Sequence, residues 1–288
     1  MSNKTTGTGK RSHMKAARIG CYIVLVILSF MCLFFFYMLI MNSSRNNFQI
    51  QQGFSFIPGG SFANNFRNLM NNANIPVMSG VINSLIVSAL SAALAIYFSA
   101  LTAYGIFAYD FKFKRAAFAI ILLIMTMPTQ ISAVGFVTQM DKWGWMNSLI
   151  PLFLPSIASP IVVFFMKQYM DSTLPVEIVE AARIDGSGEF HTFNTIVMPI
   201  MKPALAVQAI FTFVAAWNNY FIPALLINDA HKKTLPILIA QLRNADFLRF
   251  DLGQVYMLIN ISIIPIIIVY LFLSKYIVRG VALGSVKG

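Results

Sequence analysis

Charged residues are scarce in this sequence. Asp, Glu, Lys and Arg make up 11% of its 288 residues, whereas a soluble globular domain typically carries about 25%. Hydrophobic residues make up 58%, and the mean hydropathy is +0.71. So few charges cannot cover the surface of a water-soluble protein. The composition therefore excludes an ordinary soluble domain and indicates a protein whose solvent is the membrane.

Cysteine and histidine are also rare, and their positions disfavour a disulfide and a metal site. Cys21 and Cys32 lie eleven residues apart in one apolar run, which on a helix separates them by about 16 Å, too far for a disulfide. His13, His191 and His231 fall in three separate segments without Cys or carboxylate neighbours at metal-ligand spacing. We expect no metal, and we interpret the cysteines as packing residues.

The sequence also lacks a phosphate-binding loop. The glycines of Gly7-Thr8-Gly9-Lys10 lie in a polar leader, without the strand and helix that such a loop joins. Acidic residues lie in loops or at helix ends, which disfavours a membrane-embedded enzyme or scaffold. The net charge of +11 is spread over short loops, unlike a nucleic-acid-binding surface. We therefore predict no catalytic residue, no cofactor bound by this chain and no nucleic-acid partner.

Six apolar runs are long enough to cross a bilayer as helices, for which about 20 residues suffice. They are too long and too uniformly apolar for the alternating strands of a barrel. The first run has 23 uncharged residues and no small-residue cleavage site after it, so we interpret it as a retained helix rather than a signal peptide. The predicted spans are residues 19–41, 81–108, 116–140, 148–166, 203–227 and 255–274.

The basic residues predict the orientation of these spans. Fourteen of the 21 Lys and Arg fall in the leader (1–18), in the second-to-third and fourth-to-fifth connections and in the tail (275–288), and seven fall on the opposite side. Because basic loops stay in the cytoplasm, both termini are predicted to be cytoplasmic. Residues 42–80 are rich in Asn, Ser, Gly and Gln and are predicted to form a small solvated cap outside.

The cytoplasmic connection 171–202 has the composition of helices rather than of a loop. Pro175 and Glu177 suit the first turn of a helix. Asp185-Gly186 suits its end, because glycine readily takes the left-handed conformation of a C-terminal cap. A second helix is predicted to follow and to run to Pro199. We therefore expect a short helix lying across the membrane surface.

In this connection the chain resembles a known family. Glu180-Ala181-Ala182, Asp185-Gly186 and Pro199 have the spacing Glu-Ala-Ala-x-x-Asp-Gly-x12-Pro of the EAA loop in permease subunits of bacterial ABC importers. From about residue 75 onward the chain is similar to the carbohydrate branch, closest to the smaller, six-helix subunit of the maltose-type pair. This similarity is carried by Asn83-Ser84-Leu85, Ala103-Tyr104, Met127-Pro128, Trp217-Asn218 and Gly284-Ser285-Val286-Lys287-Gly288.

The resemblance implies an all-α integral membrane protein with the type I ABC importer permease fold, in which the second to sixth transmembrane helices form the permease domain. It implies a non-catalytic subunit of the bacterial cytoplasmic (inner) membrane that translocates a sugar, an oligosaccharide by its branch, by alternating access. The implied partners are a second homologous permease, two ATPase subunits that bind ATP and Mg, an extracytoplasmic sugar-binding protein and the lipid bilayer. A permease for a polyamine, phosphate or a metal is a competing interpretation, because such permeases share the loop.

The resemblance also assigns roles within the loop, whose helix docks into a cleft on the ATPase in that family. Small side chains would permit close approach, and Glu180 would supply a charge-assisted hydrogen bond. The alternative is an amphipathic helix resting on lipid, but such a helix usually has a basic polar face, whereas this one is mostly acidic. The predicted ATPase-coupling residues are Glu180, Ala181, Ala182, Asp185, Gly186 and Pro199.

A polar group in the fifth run has two interpretations. Trp217, Asn218 and Asn219, with Tyr220, could stack on and hydrogen-bond a sugar. They could instead hold helices together, as buried amides commonly do. Packing is the favoured interpretation, since in the resembling family the partner subunit makes the principal sugar contacts. Gln130 in the third run is a pathway candidate on the same terms.

The C-terminal tail likewise has two interpretations. Its composition indicates a frayed end. The resemblance implies instead a tail that reaches between the ATPase subunits, with Gly284 and Lys287 as contact residues.

Overall fold

The computed structural model describes residues 7–244 and 251–284, with side chains described for 18–244 and 251–276. This part of the chain consists of helices and turns without a strand, which confirms the all-α class. It divides into two compact units, Met1–Asn71 with Asp246–Asn260, and Asn72–Ala245 with Ile261–Gly288.

The α-helices of the described residues are short in the connections and long in the apolar runs. They are α1 (Gly7–Ser43), α2 (Asn47–Gln51), α3 (Phe62–Met70), α4 (Val77–Ala108), α5 (Lys114–Met125), α6 (Thr129–Lys142), α7 (Ile150–Phe153), α8 (Pro160–Thr173), α9 (Val176–Ile184), α10 (Glu189–Thr192), α11 (Met198–Ile200), α12 (Lys202–Trp217), α13 (Phe221–Leu226), α14 (Leu235–Arg243) and α15 (Leu252–Gly284).

Four helical stretches are long and apolar enough to cross a membrane. Two further spans exist if each of two sharply bent helix pairs crosses as one, so the described residues provide four to six spans. The long stretches are Arg18–Ser43, Val77–Ala108, Ile150–Thr173 and Leu252–Tyr276, and the bent pairs are Lys114–Met125 with Thr129–Lys142 and Glu189–Ile200 with Lys202–Trp217. The cytoplasmic position of the termini stays a prediction.

The third predicted span is sharply broken. Its two halves, α5 and α6, meet at an angle of 95°. Pro128 lies at the break with an extended backbone (φ −63°, ψ 126°). Proline has no amide hydrogen to donate and disfavours the helical conformation in the residue before it, here Met127. The sequence predicted one span over 116–140, but the residues form two separate helices.

The fourth and fifth predicted spans are also interrupted. The fourth contains α7, a 3₁₀ turn at Leu154–Ile157 and α8, and it extends to Thr173 rather than to residue 166. The fifth, predicted to be continuous over 203–227, ends as α12 at Trp217 and resumes as α13. Pro223 cannot donate a backbone hydrogen bond into the preceding turn, which favours this break.

α4 is the central helix of the larger unit. It packs against α8 and α12. Its buried face is made of small residues such as Ala95, Ser99 and Ala103, each with no exposed surface. Small side chains allow helices to approach closely in a membrane, and Met166 and Met170 of α8 fill the adjoining space. Through α4, the fourth and fifth spans share one core.

The smaller unit contains α1 and the predicted external cap. The apolar part of α1 is not buried by the rest of the chain, as suits a surface facing lipid or another subunit. The cap contains α2 and α3, tied to the end of α1 by polar bonds. The Asn65 amide donates to the backbone oxygens of Ser43 (2.8 Å) and Arg45 (2.9 Å), and the Arg45 guanidinium donates to that of Gly53 (2.8 Å).

Candidate functional site

The predicted helix of the connection 171–202 is α9. Pro175 is its N-cap residue, one position earlier than the first helical turn where the sequence suggested it, and its backbone is extended (φ −64°, ψ 132°). Glu177 lies in the first turn and Arg183 in the last. Each charge is opposite in sign to the partial charge of the helix dipole at its end, so both charges stabilise the helix.

α9 ends in a glycine turn, as its sequence predicts. Gly186 has a φ of +78°, in the left-handed region that glycine adopts without strain. The Gly186 amide donates to the Arg183 oxygen (3.0 Å), and the Ser187 amide donates to the Ala182 oxygen (2.9 Å). This pair of bonds is the Schellman arrangement, which satisfies the last carbonyls of a helix. The turn is therefore fixed by backbone bonds.

The two alanines of the motif face different directions. Ala182 is buried with Val179, whereas Ala181 is exposed. Of the two small side chains that the resemblance places against the ATPase, only Ala181 faces outward, because Ala182 packs within the chain. Ala181 shares the outward face with Glu180, which has no hydrogen-bond or ion-pair partner among the described residues. Asp185 and Ile184 are also exposed, Ile184 by 86%.

A polar cluster ties the α9 turn to the end of α4. Arg183 Nε donates to Glu189 Oε1 (2.6 Å), and Arg183 Nη2 donates to the backbone oxygen of Ala108 (3.2 Å). The Tyr104 hydroxyl donates to the other Glu189 oxygen (2.9 Å). The guanidinium also lies over the Tyr109 ring, 5.0 Å from its centre. We call these five residues the α4–α9 joint.

The contacts within the joint favour the charged form of Arg183. The hydrogen bond to Glu189 is the main reason that the pKa of Arg183 is raised above its ordinary value. The sequence prediction missed this cluster. The signal available was an Arg and a Glu six residues apart on either side of Gly186, a spacing that a tight turn can close.

The second predicted helix of the connection is present as one helical run over residues 189–200. α10 continues into a π-helical segment, Phe193–Val197, and then into α11. Pro199 lies in α11, where it supplies no amide hydrogen for a regular helical ladder. Phe193 and Val197 are buried against the α4 core. The helix that was predicted to follow Gly186 and to run to Pro199 is therefore continuous, with a π segment in its middle.

The polar group at the end of α12 separates into packing and cavity-lining residues. Trp217 is 2% exposed, stacks on Phe213 with ring centres 5.7 Å apart, and donates from Nε1 to the Ser262 oxygen (3.1 Å). This is the packing role that the sequence favoured. Asn218 and Tyr220 instead line a cavity of about 500 Å³, together with Arg243 and Asn244 of the α14 end.

Asn219 lines two other cavities. One, of about 210 Å³, is bounded also by Ser91, Ser156 and Thr212. Ser91 is 2% exposed, and its Oγ has no hydrogen-bond partner among the described residues. The other, of about 600 Å³, is mostly apolar and reaches the α5–α6 break at Met127. The interruption at 218–220 is therefore where three cavities border one short segment.

The chain matches the family described as "Binding-protein-dependent transport system inner membrane component" over residues 95–283. This protein belongs to that family. It is a permease, a transport subunit by its family, and a multi-pass membrane protein. The match includes α9, the joint and the interruption at 218–220.

Relatives of the permease align along almost its whole length. It is 30% identical over 277 residues to the arabinooligosaccharides transport system permease protein AraQ of Bacillus subtilis, covering 94% of this chain and 96% of that one. It is 31% identical over 283 residues to the melibiose/raffinose/stachyose import permease protein MelC of the same organism, covering 96% and 100%.

A solved structure supports the fold. The permease superposes on a chain of a bacterial ABC transporter involved in the import of the acidic polysaccharide alginate, with a TM-score of 0.76 at 21% identity, covering 91% of this chain and 96% of that one. The likeness shows that the permease has the fold of an ABC importer permease, as the sequence implied.

The remaining predicted residues lie apart from these features. Gln130 is exposed on α6, accepts a hydrogen bond from the Thr129 hydroxyl (3.4 Å) and lines none of the three cavities. Gly284 is the last residue of α15, and Lys287 lies outside the described residues. Among the described residues no three His, Cys, Asp or Glu side chains are placed to hold a metal ion.

Proposed function

We propose that this permease imports an oligosaccharide into the cytoplasm by alternating access, as one half of a heteromeric pair. Two separate ATPase subunits bind ATP and Mg and drive the cycle, and an extracytoplasmic sugar-binding protein delivers the solute. The family name supports a binding protein and an inner membrane location. The permease names of the relatives support an oligosaccharide over a polyamine, phosphate or a metal.

The outward face of α9 is the observation that carries the ATPase contact. Glu180, Ala181, Ile184 and Asp185 are all exposed there, and Ile184 holds 86% of its surface free. Phe190, just beyond the turn, is 63% exposed. Two large apolar side chains beside unpaired acids form a surface suited to a protein cleft, where the apolar groups are buried and the acids meet basic partners.

A lipid-lying helix is the competing role for α9, and its charge argues against that role. Glu177, Glu180 and Asp185 are exposed, and Arg183 is engaged in the joint. Anionic lipid headgroups attract basic residues and repel acidic ones. The acids therefore favour a basic protein partner over the membrane surface.

The interruption at 218–220 supports a polar translocation pathway. Asn218, Tyr220 and Arg243 have no side-chain hydrogen bond among the described residues, and they line one cavity. An amide, a phenol and a guanidinium together offer the donors, acceptors and ring face that sugars use. Because the hydroxyl of Ser91 is buried and unpaired beside Asn219, a solute hydroxyl or water that enters the smaller cavity gains a partner.

Co-purification tests the ATPase contact. The tagged permease, expressed with the genes encoded beside it, is expected to retain an ATPase subunit, and Glu180→Lys or Gly186→Asp is expected to abolish that association while the permease still inserts into the membrane. Asp110→Lys, the same reversal of charge at an exposed residue of the predicted cytoplasmic connection before α5, is the control. Normal association and transport in both loop variants would refute the docking role of α9.

Solute stimulation tests the sugar assignment. Vesicles that hold the complex, with its binding protein added, are assayed for ATP hydrolysis with arabino-oligosaccharides, raffinose, putrescine and inorganic phosphate. Stimulation by a sugar, dependent on this chain, is expected. Stimulation by putrescine or phosphate alone would overturn the carbohydrate assignment.

A further inference from the structure

We propose that Arg183, Glu189 and Tyr104 are positioning residues that lock the α9 turn to the end of α4, so that movement of α9 is passed to α4 as a rigid displacement. The inference rests on the proposed docking of α9 to an ATPase and goes beyond it, because it names the route by which the displacement enters the membrane helices.

A movement of α9 can reach the membrane helices by two routes, along the chain to α12 or through side-chain contacts to α4. α9 is followed by a turn at Gly186 and then by one continuous helical run, made of α10, the π segment and α11, before α12. The junction with α12 bends by 81°. Along the chain, α9 therefore reaches α12 only after a turn, a further helical run and a sharp bend. A direct side-chain connection from α9 to the long helix α4 avoids this longer path.

The α4–α9 joint supplies that connection at the end of α4, the 32-residue central helix of the larger unit. Arg183 bonds both Glu189 (2.6 Å) and the terminal carbonyl of α4 at Ala108 (3.2 Å). Glu189 uses its second oxygen for the Tyr104 hydroxyl (2.9 Å), one turn earlier in α4. A carboxylate held from both sides by a guanidinium and a phenol has little freedom to rotate, because each bond fixes a different oxygen.

Aromatic packing stiffens the same place. The Tyr104 ring lies 5.5 Å from that of Phe193, and Tyr109 lies under the Arg183 guanidinium at 5.0 Å. Phe193 has no exposed surface. Because α4 packs against both α8 and α12, a displacement of its end reaches the fourth and fifth spans together.

An ordinary surface ion pair is the alternative for Arg183 and Glu189. Lys167 and Asp171 provide the matched control: their Nζ–Oδ1 distance is also 2.6 Å, but both residues belong to α8, one turn apart. If the joint matters only as a local charge pair, loss of either pair should have the same consequence for coupling.

Distance measurements by electron paramagnetic resonance test the joint. Spin labels are placed at Glu177 on α9 and Thr102 on α4, both exposed, after Cys21 and Cys32 are replaced by Ser. The whole complex, with its ATPases, is measured without nucleotide and with ATP trapped by orthovanadate. We expect the inter-label distance to be unchanged by trapping in the unmodified joint and in Asp171→Asn.

The variants Glu189→Gln and Tyr104→Phe should behave differently from that control. In Glu189→Gln the distance distribution is expected to broaden and shift on trapping, because α9 moves without α4. Tyr104→Phe keeps the ring contacts and removes only the hydroxyl, so a smaller broadening is expected. Distances in both variants as constant as in Asp171→Asn would overturn the proposal. A wild-type complex that retains no ATPase would instead refute the proposed function.

Discussion

The α4–α9 joint and the interruption at 218–220 are both polar breaks in a helical protein, but the polar side chains are paired in the joint and unpaired at the interruption. In the joint, both Glu189 oxygens and the Arg183 guanidinium are paired within the chain. At 218–220, the Asn218 and Tyr220 side chains line a cavity and have no partner among the described residues. Paired groups hold a fixed geometry, whereas unpaired groups can bind something that arrives and leaves.

The sharpest division between packing and pathway falls between two neighbouring residues. Trp217→Ala should destabilise the permease by about 3–5 kcal/mol, because a buried indole is lost and a cavity remains. Asn218→Ala should leave the unfolding temperature unchanged, since its side chain lines an open cavity. Thermal unfolding of the two variants in detergent checks this, and equal destabilisation would remove the distinction.

Two buried serines of α4 provide the same comparison between a paired and an unpaired polar group, here within the core. The Ser84 Oγ accepts a hydrogen bond from the Leu235 amide (2.8 Å) and is 2% exposed, so Ser84→Ala should cost about 1–3 kcal/mol by leaving a buried amide unpaired. Ser91→Ala removes an unpaired buried hydroxyl and should be neutral or stabilising. Denaturation of both variants provides the measurement; a Ser91→Ala loss as large as that of Ser84→Ala would show that Ser91 has a partner.

Substitutions at Gly186 test the fixed geometry of the α9 turn, because only backbone strain opposes them. A side chain there meets no atom within 4 Å, so only the φ of +78° penalises substitution. Gly186→Val should cost about 1–2 kcal/mol, whereas Gly186→Asn should cost less because asparagine tolerates the left-handed region. Limited proteolysis of the α9 turn ranks the variants, and equal cleavage would argue against the strain.

The smallest effect is expected for the ion pair within α8. Asp171→Asn should change stability by less than about 1 kcal/mol, because the Asp171 side chain is 43% exposed and ion pairs one helical turn apart contribute little, although the Lys167 side chain is only 15% exposed. The unfolding temperature measured at low and high salt checks it. A large, salt-dependent loss would mean that charge pairs on this surface are worth more than their exposure indicates, and the contrast with the joint would weaken.

Patterns local in sequence predicted much of this molecule. The apolar runs predicted the long helices, and Gly186 predicted the end of α9 because its conformation depends on neighbouring residues only. Pro128 and Pro223 lie where the third and fifth predicted spans break, but the sequence could not give the 95° bend, which depends on what the two halves pack against.

Contacts distant in sequence were the part that could not be predicted. The burial of Ala182 and the exposure of Ala181 depend on which side of α9 meets the core. Six of the nine residues of α9 are apolar and lie on more than one side, so its sequence does not indicate that side. The bond from Tyr104 to Glu189 joins residues 85 positions apart. Trp217 packs against other helices, whereas the residues after it line cavities, because α12 ends at Trp217. The predicted continuous helix over 203–227 did not indicate this difference.

The most direct test is the number of ATP molecules hydrolysed per sugar imported, measured in vesicles that hold the whole complex. This ratio tests whether the joint passes the movement of α9 to α4 and whether the interruption at 218–220 binds the sugar. Glu189→Gln should raise this ratio by about tenfold, the effect of losing one charge-assisted hydrogen bond, because hydrolysis continues while displacement is lost. Asn218→Ala should lower import and stimulated hydrolysis together and leave the ratio unchanged. An unchanged ratio in Glu189→Gln, or an equal rise in Asn218→Ala, would contradict the account.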